Sequence, residues 1–323
     1  MNKDKKYFGI DISKSVFDVT DSEGNYYQFE NKVSGFKKFV KLLDSTSHCV
    51  MEATGYYHYQ LAYYLVEKSI LVSVENPLSV KRFIQMKLSK IKTDKSDSKM
   101  ICDYGQHVNL KLWIGDSKSQ QECLQITRLL DVYTKQGTML KNKIHGEEVL
   151  GIPSKYVLDS IKRILKHLKK DILKLEEKLL FIVKKEHQGL LTRLKTIPGI
   201  GDKTAITLVV LTDGFKRFQS GSELCSYSGL TPMIRQSGSS VRGRARISKI
   251  GNAKLRNLLF MCSFNACKYN KACKAIYDRI VAKGKSKKLA LIAVCNKLLK
   301  QAFAIAKSGL IYDGTYRSVL VNN

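Results

Sequence analysis

Apolar and polar positions follow one rhythm in the first third of the chain and another beyond it. Residues 7–13, "YFGIDIS", are apolar enough for a central strand. Residues 16–30, "VFDVTDSEGNYYQFE", alternate, turn at Ser22–Asn25 and return, which predicts a hairpin. Phe36, Phe39, Val40 and Leu43 fall on one side of a short helix over 35–44. "HCVMEATG" (48–55) reads as a buried strand with a polar tip, "YHYQLAYYLVEKS" (57–69) as a helix, and "ILVSVENP" (70–77) as a strand stopped by Pro77. Helical spacing resumes near Ser79. Strands alternating with helices after an initial hairpin predict an α/β domain with a mixed sheet.

From residue 118 to 190 the pattern is almost wholly helical. Leu158, Ile161, Leu165, Leu168, Ile172, Leu175, Leu179 and Ile182 are spaced alternately three and four apart, the a/d seam of a coiled coil. The seam predicts a helix partner, on its own domain or in a second subunit. The last third opens with "LKTIPGIGDKTAITLVVL" and passes through a basic segment. It closes with two expected helices, 253–282 and 286–307, split by "AKGKSKK". There is no internal repeat. The expected domains are 1–117, 118–192 and 193–323.

Charge narrows the function. Lys and Arg number 56 against 28 Asp and Glu, a net +28 over 323 residues. Such a surplus opposes folding unless a polyanion neutralises it, so nucleic acid is the expected partner and an acidic membrane surface the weaker one. No uninterrupted apolar run reaches the roughly 18 residues of a membrane span, and no signal-peptide core follows the N-terminal charges. A cytoplasmic, nucleoid-associated protein is expected. The eight cysteines form no C-x-x-C and no zinc spacing, which predicts buried free thiols without disulfide or zinc.

Four acids stand out against this background. Asp11 interrupts an apolar strand, where a carboxylate is costly without a partner. Glu52 closes the strand "HCVME". Asp94 and Asp97, in "KTDKSDSK", lie at i and i+3 and share a helix face. The alternative is local, with Asp94 paired to Lys90 or Lys95 and Asp97 to neighbouring lysines. Together the four acids make an oxygen-only set able to hold two Mg²⁺ ions for phosphodiester chemistry.

Two further motifs suit nucleic acid. "IPGIGDKTA" (197–205) has the pattern of a helix-hairpin-helix turn, with Gly199 and Gly201 at the turn, Lys203 adding charge, and helix N–H groups open to phosphate. An ordinary glycine-rich turn is the alternative. Between Thr231 and Arg256 there are seven basic residues and no acid. Arg235, Arg242, Arg244, Arg246, Lys249 and Arg256 are the expected contacts. Ser237 sits among them, and with no histidine close in sequence a Ser-His-Asp hydrolase is a poor reading. Arginines and metal ions suit attack on phosphorus instead; a plain basic DNA-binding loop is the alternative.

In this order, "GIDISK", "MEATGYY", "VENPLSVKRF" and "KTDKSDSKMI", followed by "LKTIPGIGDKTA", "RFQSGSELCSYSGLTP" and "RQSGSSVRGRARISKIGNAKLRNLL", resemble the DEDD transposases of the IS-one-ten insertion-sequence family, the bridge-RNA-guided recombinases. The resemblance covers residues 7 to about 310. It implies an RNase H-like domain similar to the Holliday-junction resolvase RuvC, a coiled-coil segment, and a mainly helical C-terminal transposase domain. The family's acidic tetrad falls on Asp11, Glu52, Asp94 and Asp97. Its Gln-Ser-Gly motif falls on Gln236-Ser237-Gly238, which implies Ser237 as a nucleophile that becomes covalently linked to DNA. Ser239 and Ser240 in "QSGSSVRG" are rivals. The resemblance further implies donor and target DNA, a structured guide RNA encoded by the element, and dimers assembling into a tetramer. The competing readings are a junction-resolvase-like nuclease that uses metal-activated water, and a non-catalytic nucleic-acid-binding protein.

Overall fold

The computed structural model describes residues 5–53, 55–88, 93–233, 236–237, 241–242 and 246–315. The chain forms two compact units, Met1–Asp116 and Ser117–Asn323.

The first unit is built on five strands: β1 (Lys6–Ile12), β2 (Val16–Asp21), β3 (Tyr26–Glu30), β4 (Ser47–Glu52) and β5 (Leu71–Glu75). Their order is β3-β2-β1-β4-β5. The three hairpin-linked strands pair antiparallel, and β1, β4 and β5 run parallel. The predicted mixed sheet is therefore present. Four helices cover it: α1 (Val33–Val40), α2 (His58–Glu67), α3 (Pro77–Met86) and α4 (Asp94–His107). Pro77, expected as a strand stop, also opens α3 at its first position. Asn76 caps that helix by accepting a hydrogen bond from Leu78 N at 2.8 Å.

Strand alternation sorts the side chains by face. Phe8, Ile10, Ile12, Phe17, Val19 and Met51 pack with Phe36 and Phe39 of α1 and Leu61 and Leu65 of α2. On the other face Val50 packs with Val80 and Phe83 of α3 and Ile101 and Tyr104 of α4. Gly9 belongs to this second face. A Cβ there would collide with the backbone of Ser98 and Cys102, so the missing side chain lets α4 lie directly on β1. Opposite Gly9, Thr20 shares a buried 2.8 Å hydrogen bond with Ser98 of α4.

The second unit opens with α5 (Lys118–Val149) and α6 (Lys155–Lys195), which pack as an antiparallel hairpin. Glu122 pairs with Lys178 at 3.3 Å near one end. The 158–182 seam thus finds a partner within its own chain: Leu179 and Ile182 are buried with Cys123 and Ile126 of α5. The remaining core comes from α7 (Asp202–Thr212), α8 (Gly221–Tyr227), α9 (Ala253–Tyr269), α10 (Lys271–Ala282) and α11 (Lys287–Ser308). Between α8 and α9 lie the two-residue strands β6 (Pro232–Met233), β7 (Gln236–Ser237), β8 (Val241–Arg242) and β9 (Arg246–Ile247), pairing β6 with β9 and β7 with β8.

One expectation needs correction. The single helix expected over 253–282 is two, broken at Asn270, an extended residue whose Oδ1 accepts from Cys273 N and so caps α10. Its buried amide also donates to Gln301 Oε1 at 2.9 Å. Among the described residues α11 is long and apolar enough by length and composition to cross a membrane. Lys297 and Lys300 interrupt it in sequence. In the fold its Val294, Cys295, Leu298, Leu299 and Ala302 are core residues. Seven of the eight cysteines are buried, and burial pushes the thiols of Cys102, Cys123 and Cys225 up to about 11.

Candidate active site

All four predicted acids lie in the first unit, and sheet geometry puts them on one side. Asp11 is two residues past Gly9 and so shares the face covered by α4. Glu52 is two past Val50 on the parallel neighbour β4 and faces the same way. Asp94 and Asp97 occupy the first turn of α4. That turn is fixed by a reciprocal cap: Ser96 N donates to Thr93 Oγ1 at 3.1 Å, and Thr93 N donates to Ser96 Oγ at 2.9 Å. Acids are favoured there because the helix N-terminus carries partial positive charge.

Electrostatics report the convergence. The Asp11 carboxyl is pushed up from 3.8 to about 6, first by burial and then by the charges of Asp97, Asp94, Glu52 and Asp18. The charges that act on Asp11 are thus the other three acids of the predicted tetrad and one more. Asp18 stands directly opposite Asp11 on β2 and is 2% exposed. It accepts hydrogen bonds from Tyr26 Oη and, at 3.0 Å, from Gln28 Nε2. The Tyr26 hydroxyl is held up to about 12 by that bond, by burial and by the charges of Asp18 and Asp94. Lys95 Nζ lies 5.3 Å over the Tyr26 ring. Glu75, beside Glu52 on β5, is raised by burial and accepts from Tyr104 Oη at 3.2 Å.

Asp18 and Glu75 escaped the sequence pattern. The alternation in "VFDVTD" places Asp18 on the face opposite Phe17 and Val19, and only its register with Asp11 brings it to the acids. The donor set is chemically right for a hard divalent cation: carboxylate oxygens only, crowded enough to raise one pKa. Among the described residues, no three His, Cys, Asp or Glu side chains gather tightly enough to hold an ion as the chain stands.

The remaining predicted residues lie in the second unit. Gly199 has φ +105 and abuts Ala266 of α9; Gly201 is the N-cap of α7. The expected turn between α6 and α7 is therefore present, with Gly201, Asp202 and Lys203 exposed. Asp202 pairs with Lys195 at 2.6 Å, and Lys203 with Glu176 at 3.6 Å. Ser237 lies on β7 opposite Val241, and Arg242 lies on β8 opposite Gln236. Arg246 and Lys249 are exposed, while Arg256 donates to Ser228 O at 2.8 Å. Arg235, Arg244, Gly238, Ser239 and Ser240 lie outside the described residues.

An α/β domain with acids gathered on one sheet face, ahead of a basic helical unit, is the arrangement of a nucleic-acid-processing enzyme. A family model for DEDD transposases matches residues 8–149, and the model described as the Transposase IS116/IS110/IS902 family matches residues 191–278. The pilin gene-inverting protein of Moraxella bovis is 32% identical over 96% of this chain and 98% of its own length. That of Moraxella lacunata is also 32% identical, with the same shares covered. The transposase for insertion sequence element IS1111A of Coxiella burnetii is 25% identical over 80% of this chain and 76% of its own length. The chain belongs to the IS110 family of DEDD transposases and is a DNA recombinase.

Proposed function

We propose that this chain cuts and rejoins DNA at the ends of an insertion sequence, with Asp11, Glu52, Asp94 and Asp97 holding divalent cations, a Mg²⁺ pair, and Ser237 as the nucleophile. The observation that carries the proposal is geometric: Asp11 and Glu52 lie on adjacent parallel strands, facing the side covered by α4, whose first turn carries Asp94 and Asp97; the raised Asp11 carboxyl agrees with it. Two supports are independent of it. The strand order, three antiparallel strands followed by two parallel ones, agrees with an RNase H-like domain. The charge of +28 suits a polyanion.

Bound at these acids, the ions would draw in phosphate oxygens and neutralise charge on the reacting phosphodiester. Asp11 and Glu52, on adjacent strands, would form the fixed half of the site. Asp94 and Asp97 would close it from α4. Lys95, on the same helical turn, would draw the DNA backbone toward acids that otherwise repel it. The Ser237 Oγ–P bond forms as a P–O bond of the DNA backbone breaks; the serine proton leaves and the departing oxygen takes one up. A hydroxyl of the incoming strand then attacks the phosphoserine, which restores a phosphodiester and frees the serine. Bond type is conserved throughout, so no external energy source is needed. The exposed α7 N-terminus and Arg246 and Lys249 would hold backbone phosphates. An element-encoded RNA would choose the sites, and dimers pairing into tetramers would bring two duplexes together. The names of the Moraxella relatives extend the proposal to inversion as well as insertion.

The test uses a plasmid carrying the gene with its native flanking DNA. Rearranged junctions are expected with the natural chain and none with Asp11→Ala, Glu52→Ala, Asp94→Ala or Asp97→Ala. Junctions at the natural level from the Asp11 and Glu52 variants would overturn the metal-site assignment.

A further inference from the structure

The segment that links Glu52 to α2 carries two tyrosines on the surface: Tyr56 is 65% exposed and Tyr57 46%. Tyr56 begins an aromatic ladder, and Tyr57 stands beside it in sequence. Tyr59 and Tyr63 lie one turn apart on α2, and Tyr56 precedes them in the turn that leads into the helix. Tyr56 and Tyr59 lie 27° from parallel at 6.5 Å, and Tyr59 and Tyr63 20° from parallel at 6.2 Å. Tyr63 meets Trp113 edge-on at 4.8 Å. Buried His58 stacks on Tyr59 at 4.3 Å and steadies the ladder from within.

The ladder begins beside the acids. β1 and β4 run parallel, so the segment after Glu52 emerges at the same sheet edge as the segment after Asp11. Asn31 ties the two together: its Nδ2 donates to Ser13 O at 2.8 Å and to Tyr57 O at 3.3 Å. Ser13 is two residues beyond Asp11, and the next residue, Lys14, is exposed. A strand whose phosphate sat at the acids would pass two exposed tyrosines and a lysine.

We propose that Tyr56 and Tyr57 form a stacking platform for an unpaired base of the DNA strand held at the acids. A ring on the protein surface cannot reach the π-face of a base inside a duplex; only an unstacked base offers it. Stacking is also indifferent to base identity, as an enzyme that works at more than one sequence requires. The inference rests on the acids being where the strand is held.

The full-length protein, kept in chelator so that no strand is cut, is titrated with three probes: a single-stranded oligodeoxynucleotide containing 2-aminopurine, its duplex, and an RNA of the same sequence. Tyr56→Ala and Tyr57→Ala are each expected to weaken single-stranded DNA binding about tenfold and to leave duplex binding within about twofold. Tyr→Phe at either position keeps the natural affinity and the 2-aminopurine quench. Tyr→Leu, which keeps bulk without a π-system, behaves as alanine does, so a thermal change in the alanine variants cannot account for the loss. Single-strand binding unchanged in both alanine variants, an equal loss on the duplex, leucine variants that bind like tyrosine, or a loss confined to RNA would each overturn the platform. Asp11→Ala, assayed for cutting in a separate reaction with Mg²⁺, separates the two readings. If it still cuts DNA, the acid assignment fails whatever the tyrosines do.

Discussion

Asp11 concentrates the account at the residue scale. Its folded carboxyl titrates at about 6 against an ordinary 3.8. A raised acid favours the folded state while protonated. That advantage is present at low pH and is lost as pH rises through about 6, where like charges face one another across half-buried space. Asp11→Asn removes the charge and keeps the shape. Measured in chelator, the variant should melt above the natural chain at pH 8, and the difference should shrink as pH falls through 6 and vanish near 4. An offset constant across that range would show that repulsion among the acids is not its source. Such built-in repulsion is expected where a bound cation later supplies the missing charge. His48 titrates in the other direction. Burial holds its imidazole down at about 4, with Nε2 and Ser73 Oγ 2.8 Å apart, so its contribution to stability is lost as pH falls from about 6.5 through 4.

At the scale of elements, the close packing of α4 on β1 decides whether the acids meet. Gly9→Ala would force the two apart, because a Cβ there meets backbone rather than a yielding side chain. The expected cost is at least about 2 kcal/mol, read as a lowered unfolding midpoint of the first unit, with junction formation lost as well. An unchanged midpoint would mean that α4 is not seated as described. Much of this unit was legible in sequence, because period-2 and period-3.6 patterns meet at clear turns: the hairpin turn at Ser22–Asn25 and the strand stop at Pro77. The acids were legible for a related reason, since a carboxylate in "FGIDIS" has no apolar explanation. What the pattern could not supply was pairing across strands. Asp18 joins the acids only through its register with Asp11, and Glu75 only through its register with Glu52. The break at Asn270 was hidden because helical spacing continues through it; the cap and the buried bond to Gln301 that fix it are tertiary. The seam at 158–182 was visible, but its partner was not, because an a/d repeat does not say which helix it faces.

At the scale of the whole molecule, the chain divides labour between two units. The first gathers acids on an α/β sheet. The second carries exposed cations, an exposed turn at the start of α7 and a serine on a short two-stranded ribbon. A surplus of +28 charges keeps DNA close at low salt and makes every affinity fall steeply as salt rises. The acids alone would serve a nuclease; the serine is what would make the enzyme a recombinase, because it retains the cleaved end until the exchanged strand arrives. The most direct measurement is therefore to incubate the full-length protein, purified from cells carrying its native flanking DNA, with that DNA and Mg²⁺, denature the mixture, and map any protein–DNA adduct by peptide mass spectrometry. The account predicts an adduct on Ser237 that disappears in Ser237→Ala and in Asp11→Ala. Cleaved DNA with free ends, no adduct, and undiminished cutting by Ser237→Ala would contradict it.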